Sequence, residues 1–150
     1  MFSISRIRFL IERVASSDIT PETVSEIFAV SLREVDSTNT HVREFEGRPD
    51  AGPFSTVSLR VTGASAVDVA ALLTLIPRKE VRLTQADLAG SFAFSREDVD
   101  VNPHIPPEGT ISYREMLDDR RMVILELTYR TRLLRTIAIH EKVSTEPGGG

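Results

Sequence analysis

Residues 19–36, ITPETVSEIFAVSLREVD, lie on residues 83–100, LTQADLAGSFAFSREDVD, without a gap at a shift of 64 positions. Six residues coincide: Thr20 with Thr84, Phe28 with Phe92, Ala29 with Ala93, Ser31 with Ser95, Val35 with Val99 and Asp36 with Asp100. Others match in type, among them Ile19 with Leu83, Val24 with Leu88, Val30 with Phe94 and Glu34 with Asp98. The shared positions are those that a capped amphipathic helix needs. A threonine oxygen takes up a free N–H group of the first turn. Pro21 suits the first helical position, where its missing N–H costs nothing. Asp87, three residues after Thr84, sets negative charge at the helix's positive end. Val24, Ile27 and Phe28 in one copy, and Leu88 and Phe92 in the other, supply an apolar face. Phe28 and Phe92 are therefore expected at equivalent buried positions, in one structural unit used twice.

Strand-like runs follow both copies. The clearest spans 54–62, where Val57, Leu59 and Val61 alternate with Ser58, Arg60 and Thr62. Further strands are expected over 29–33, 41–46 and 70–76 in the first unit, and over 110–116, 122–130 and 133–140 in the second. Glycine, proline and aspartate in 47–53 and 62–65 favour hairpins, and no helical crossover is present to join parallel strands. Residues 95–109 read as a polar loop, interrupted by Pro103, Pro106 and Pro107. Ahead of the first copy, Ile4, Ile7, Ile11 and Val14 predict a helix over 3–15, although Ile7, Phe9 and Ile11 also alternate as a strand would. The expected fold is α+β: two tandem helix-then-antiparallel-strand units sharing one largely antiparallel sheet, with helices on one face. Residues 1–143 form a single domain, with repeat units at about 19–77 and 83–140. The tail 144–150 has little to bury and is expected to be disordered.

Composition agrees with one such domain. At 150 residues a chain can bury about 70% of its unfolded surface. An apolar fraction of 41% beside 27% charge suits a globular core and not a disordered chain. There is no cysteine, which removes disulfides, thiolate nucleophiles and thiolate metal sites. The apolar run 9–11 is cut short by Glu12 and Arg13, so the N-terminus does not read as a signal peptide, and a cytoplasmic protein is expected. A net charge of −4 argues against nucleic acid as partner and suits a basic one. No membrane association is expected.

The residues that could carry chemistry do not assemble into a motif. His41, His104 and His140 have no partner at metal-ligand spacing. His104 reads as a solvated loop residue, and His140 as a sheet-face residue and not a general base. Glu97, Asp98 and Asp100 lack the closing glutamate of a calcium loop. No glycine-rich phosphate loop is present. Residues 118–121 read as a charged hairpin turn. Sixteen of the 18 basic residues are arginine, and Arg130, Arg132 and Arg135 gather near the final hairpin, where arginine is the better interface anchor. Gly148, Gly149 and Gly150 read as a flexible linker. Hence no catalytic, cofactor-binding or metal-binding residue is expected, and no cofactor.

The phrases Ile19-Thr20-Pro21-Glu22-Thr23-Val24 and Leu83-Thr84-Gln85-Ala86-Asp87-Leu88 resemble the openings of repeats in immunity proteins of bacterial toxin systems. Together with the tandem pattern over about 19–140, the chain also resembles inhibitor proteins of the beta-lactamase-inhibitor type. The resemblance implies a non-enzymatic module that presents a sheet surface to a protein partner, a bacterial toxin or enzyme. No family binding residue matches. From alternation alone, the partner face is expected to hold Ser58, Arg60, Thr62, Glu126, Thr128, Thr136 and His140. Two other classes remain open: a small enzyme or ligand-binding domain with a pocket between helices and sheet, and a structural subunit that assembles through sheet edges.

Overall fold

The computed structural model describes residues 4–36, 42–62, 69–93, 100–102 and 109–142. The chain runs α1 (Ile4–Ala15), α2 (Pro21–Phe28), β1 (Arg33–Val35), β2 (Val42–Gly47), β3 (Phe54–Thr62), β4 (Val69–Pro77), α3 (Gln85–Ala89), β5 (Asp100–Asn102), β6 (Thr110–Met116), β7 (Arg121–Thr128) and β8 (Leu134–Lys142). All eight strands join one antiparallel sheet in the order β1-β2-β3-β4-β8-β7-β6-β5. The order reads inward from both edges. Each half starts with a capped helix, lays its first strand at an outer edge and its fourth at the centre, where β4 meets β8.

Both caps form as the threonines imply. Thr20 accepts from the Thr23 N–H at 3.2 Å, with Pro21 in the first turn. Thr84 and Asp87 complete a reciprocal capping box, the Thr84 N–H reaching Asp87 Oδ2 at 2.9 Å and the Asp87 N–H reaching Thr84 Oγ1 at 3.3 Å. Val24 and Leu88 are fully buried, and Phe28 and Phe92 nearly so. In α1, Ile7, Leu10, Ile11 and Val14 are all buried, so helix wins over the competing strand pattern. One core joins these helix residues to Phe45, Val57, Leu59, Leu73, Leu75, Val123, Leu125, Ile137 and Ile139. Register places those sheet residues on a single face, and the helices cover it.

One ion pair and a set of charged hydrogen bonds tie α1 to the second half. Arg8 meets Glu115 of β6, and Arg121 of β7 meets Glu141 of β8 at 2.7 Å. Arg121 also donates to the carbonyls of Val14 and Ala15, occupying acceptors that the end of α1 leaves free. Residues 118–121 form the expected charged turn, between β6 and β7, with one addition at its end. Asp118 Oδ1 closes the turn on the N–H groups of Arg120 and Arg121, and Arg121 begins a strand and points inward.

Three differences have local causes. The first strand, expected over 29–33, lies at Arg33–Val35 because Ala29 is used in ending α2. At φ 50° its N–H reaches Glu26 O, while the Val30 N–H reaches Ser25 O, a Schellman closure. Residues 30–32 then pass close over Gly47, where a Cβ would stand 2.6 Å from Ser31 O. The expected loop 95–109 contains β5, three residues paired to β6. Tyr129, within the strand expected over 122–130, lies beyond β7 in a turn and is exposed, with the Arg132 guanidinium over its ring. His41, His104, Glu97, Asp98 and the tail 144–150 lie outside the described residues.

Candidate functional site

The face of the sheet away from the helices follows from register. One row crosses it as Glu44, Arg60, Leu72, His140, Met122 and Met116, from β2 to β6. The next row is Glu46, Ser58, Thr74, Ala138, Ile124 and Arg114. A third pairs Thr56 with Ile76, and Thr136 with Glu126 and Ser112. Strand alternation puts all seven expected residues, Ser58, Arg60, Thr62, Glu126, Thr128, Thr136 and His140, on this side. Arg60 is exposed and the other six are half-buried.

The face is less polar than alternation suggested. Its centre is Leu72, Ile76, Met122, Ile124 and Ala138, with Met116 beside it, and Ile76 and Met116 are exposed. The signal lay in the runs of β4 and β7, where 71–76 reads Ala-Leu-Leu-Thr-Leu-Ile and 122–125 reads Met-Val-Ile-Leu. A strand with one wet face alternates, whereas a near-continuous apolar run marks a strand buried on both faces. Attention to the polar members of β3 and β8 passed over these residues.

Charge surrounds the apolar centre. Arg60 Nη2 lies 2.7 Å from Glu44 Oε1. Glu126 accepts from Thr136 Oγ1 at 3.5 Å and lies 3.9 Å from Arg135 Nε. Glu46 and Arg114 stand exposed on opposite rims of one row. His140, between Leu72 and Met122, has a buried Nδ1 with no hydrogen-bond partner among the described residues. Two of the three arginines near the last hairpin are engaged separately. Arg132 sits at φ 57° in the turn and donates to Gln85 Oε1, while Arg135 faces Glu126.

A crevice of about 320 Å³ lies on the other side, between α1, α2 and the β2–β3 loop. Leu10, Ile27, Phe28, Phe54, Pro49 and Pro53 form apolar walls, with Phe28 and Phe54 edge to face at 5.8 Å. Arg78 shapes the loop, its Nε donating to Gly52 O at 2.8 Å and its Nη2 to Pro49 O. Arg6 is the one lining residue with a polar side chain, so no acid–base pair converges there.

No group of three or more histidine, aspartate or glutamate side chains suited to a metal occurs among the described residues. Among them, no helix is long and apolar enough to cross a membrane. No family model, curated protein or solved structure matches the chain.

Proposed function

We propose that this chain is a non-enzymatic protein-binding module that meets its partner through the helix-free face of the sheet. The observation that carries the reading is the apolar centre, Leu72, Ile76, Met122 and Ile124, enclosed by the charges of Glu46, Arg60, Arg114 and Glu126. An apolar core inside a polar rim is the layout of protein–protein interfaces, and it needs no deep pocket. In its most specific form, suggested by the sequence resemblance, the chain is a cytoplasmic immunity or inhibitor protein that occludes a bacterial toxin or enzyme.

The test is the affinity of the wild type and of an Arg60→Ala/Glu126→Ala variant for the toxin or enzyme encoded beside its gene, with circular dichroism as the fold control. The variant is expected to bind about tenfold more weakly, since interfacial charges set register and suppress wrong partners. Unchanged affinity in a folded variant removes this face from the function. The crevice beneath α1 and α2 supports a second reading, a small-ligand site, because its volume of about 320 Å³ lies at the lower end of known ligand pockets. Saturable binding of apolar acids, lost on filling the crevice by Ala51→Trp, would favour that reading.

A further inference from the structure

We infer that the helix-free face is also where a second copy of this chain packs, sheet against sheet, about a two-fold axis running along the strands above the β4–β8 seam. The inference rests on the proposed reading of this face as a protein-docking surface and names one occupant. That occupant covers the face when no other protein does.

The first argument is the sequence of the central strands. β4 and β7 carry apolar residues on both sides, with Leu72, Ile76, Met122 and Ile124 on the helix-free side beside Thr74, Glu126 and Thr128, and such runs approach the pattern of strands covered on both faces. The helices cover only one. Six strands at about 4.8 Å and six residues at about 3.3 Å give a face of roughly 29 by 20 Å. That is the order of size needed for a standard interface, which buries about 800 Å² per partner.

The second argument is charge, and it selects both the occupant and the axis. Glu46 on β2 and Arg114 on β6 belong to the same cross-strand row, on opposite sides of the β4–β8 seam. Five strand spacings separate them, about 24 Å. An axis parallel to the strands carries β2 of one copy over β6 of the other, so Glu46 faces the second copy's Arg114 and the reverse pair forms by symmetry. The usual angle of about 30° between aligned sheets displaces such pairs by only a few ångströms, within reach of these long side chains. An axis perpendicular to the strands and over this row instead brings Glu46 against Glu46 and Arg114 against Arg114. Like charges disfavour that arrangement.

Sedimentation and light scattering across the micromolar to hundred-micromolar range, on the full chain, test this. The wild type is expected to dimerise. Glu46→Arg and Arg114→Glu, each alone, are expected to weaken the dimer by at least about tenfold, because each sets two like-charge contacts into the interface. Mixing the two single variants should restore association, since every contact in the mixed dimer again joins opposite charges. An Ile124→Asp variant should be monomeric with its circular dichroism unchanged. A monomeric wild type overturns the second copy as occupant, and leaves the Arg60/Glu126 binding measurement to decide the face itself. A dimer indifferent to all three substitutions, or single variants that fail to associate on mixing, equally overturns the assignment.

Discussion

Arg8 on α1 and Glu115 on β6, 107 residues apart in sequence, form a two-pronged ion pair: Nη1 to Oε1 at 3.0 Å and Nη2 to Oε2 at 2.9 Å. Glu115 Oε1 also accepts from the Ala93 N–H, and the guanidinium lies 5.0 Å from the centre of the Phe92 ring. One carboxylate thus fastens the first helix, the exit from α3 and a sheet strand. The hydrogen bond that Arg8 donates to Glu115 is the main cause that holds the Arg8 pKa above its ordinary value. Glu115→Ala is expected to destabilise the fold by about 1–3 kcal/mol, as for a lost charged hydrogen bond at a partly buried site. A double-mutant cycle with Arg8→Ala should give a coupling near 1 kcal/mol or more in denaturant unfolding. Additive effects would show that the two residues act separately.

Arg121 and Glu141 make a more buried pair, each side chain 11% exposed, and Arg121 also holds the end of α1. Removing either partner leaves a charge without its counterpart, so Arg121→Ala or Glu141→Ala should each cost about 3–5 kcal/mol. Replacing both, as Arg121→Met/Glu141→Leu, should cost less than either single change. Equal or greater loss in the double variant would contradict the electrostatic account.

Phe28→Ala and Phe92→Ala remove aromatic rings that are 6% and 4% exposed at matching places after the two caps. Each is expected to lose about 3–5 kcal/mol by chemical denaturation. A loss below about 1 kcal/mol at either site would show that the core collapses around the gap.

Gly47→Ala places a methyl group 2.6 Å from Ser31 O and 2.7 Å from Val30 Cγ2. Since the obstacle includes backbone, the segment 30–32 must move, and a cost of about 1–3 kcal/mol is expected. An unaltered melting temperature would mean that the crossing above β2 yields freely.

Asp87 has a carboxyl held below the usual aspartate range, chiefly by the backbone N–H of Thr84 and then by its hydroxyl. A depressed folded value adds stability above the ordinary pKa of about 3.9 and loses it as pH falls through the lower, folded value. Wild type should therefore melt above Asp87→Asn at neutral pH, and the difference should shrink as pH falls below the ordinary aspartate value. A constant difference across that range would place the effect outside ionisation.

The parts of the fold visible in the sequence were those with a local physical signature. Thr20, Pro21 and Thr84 marked helix starts through hydrogen bonding alone. The bounds of β3 and β6 match the expected 54–62 and 110–116. β1 was expected a few residues early and β5 was read as loop, because three-residue edge strands have no periodicity to read and their placement is set by partners. The candidate face was half legible. Polar alternation found Arg60 and Glu126, but the pairing of Glu46 with Arg114 across one row needs a strand order that no local pattern contains.

The inward-reading strand order also governs how the molecule assembles as it leaves the ribosome. β1 to β4 pair in succession as they emerge, yet β4 keeps one row of backbone donors and acceptors open until β8 arrives. The seam at the middle of the sheet therefore closes late, since β8 begins only at Leu134, after β5 to β7, whereas β4 ends at Pro77. Nascent chains on neighbouring ribosomes expose the same β4 edge during that interval, so pairing between them competes with correct closure.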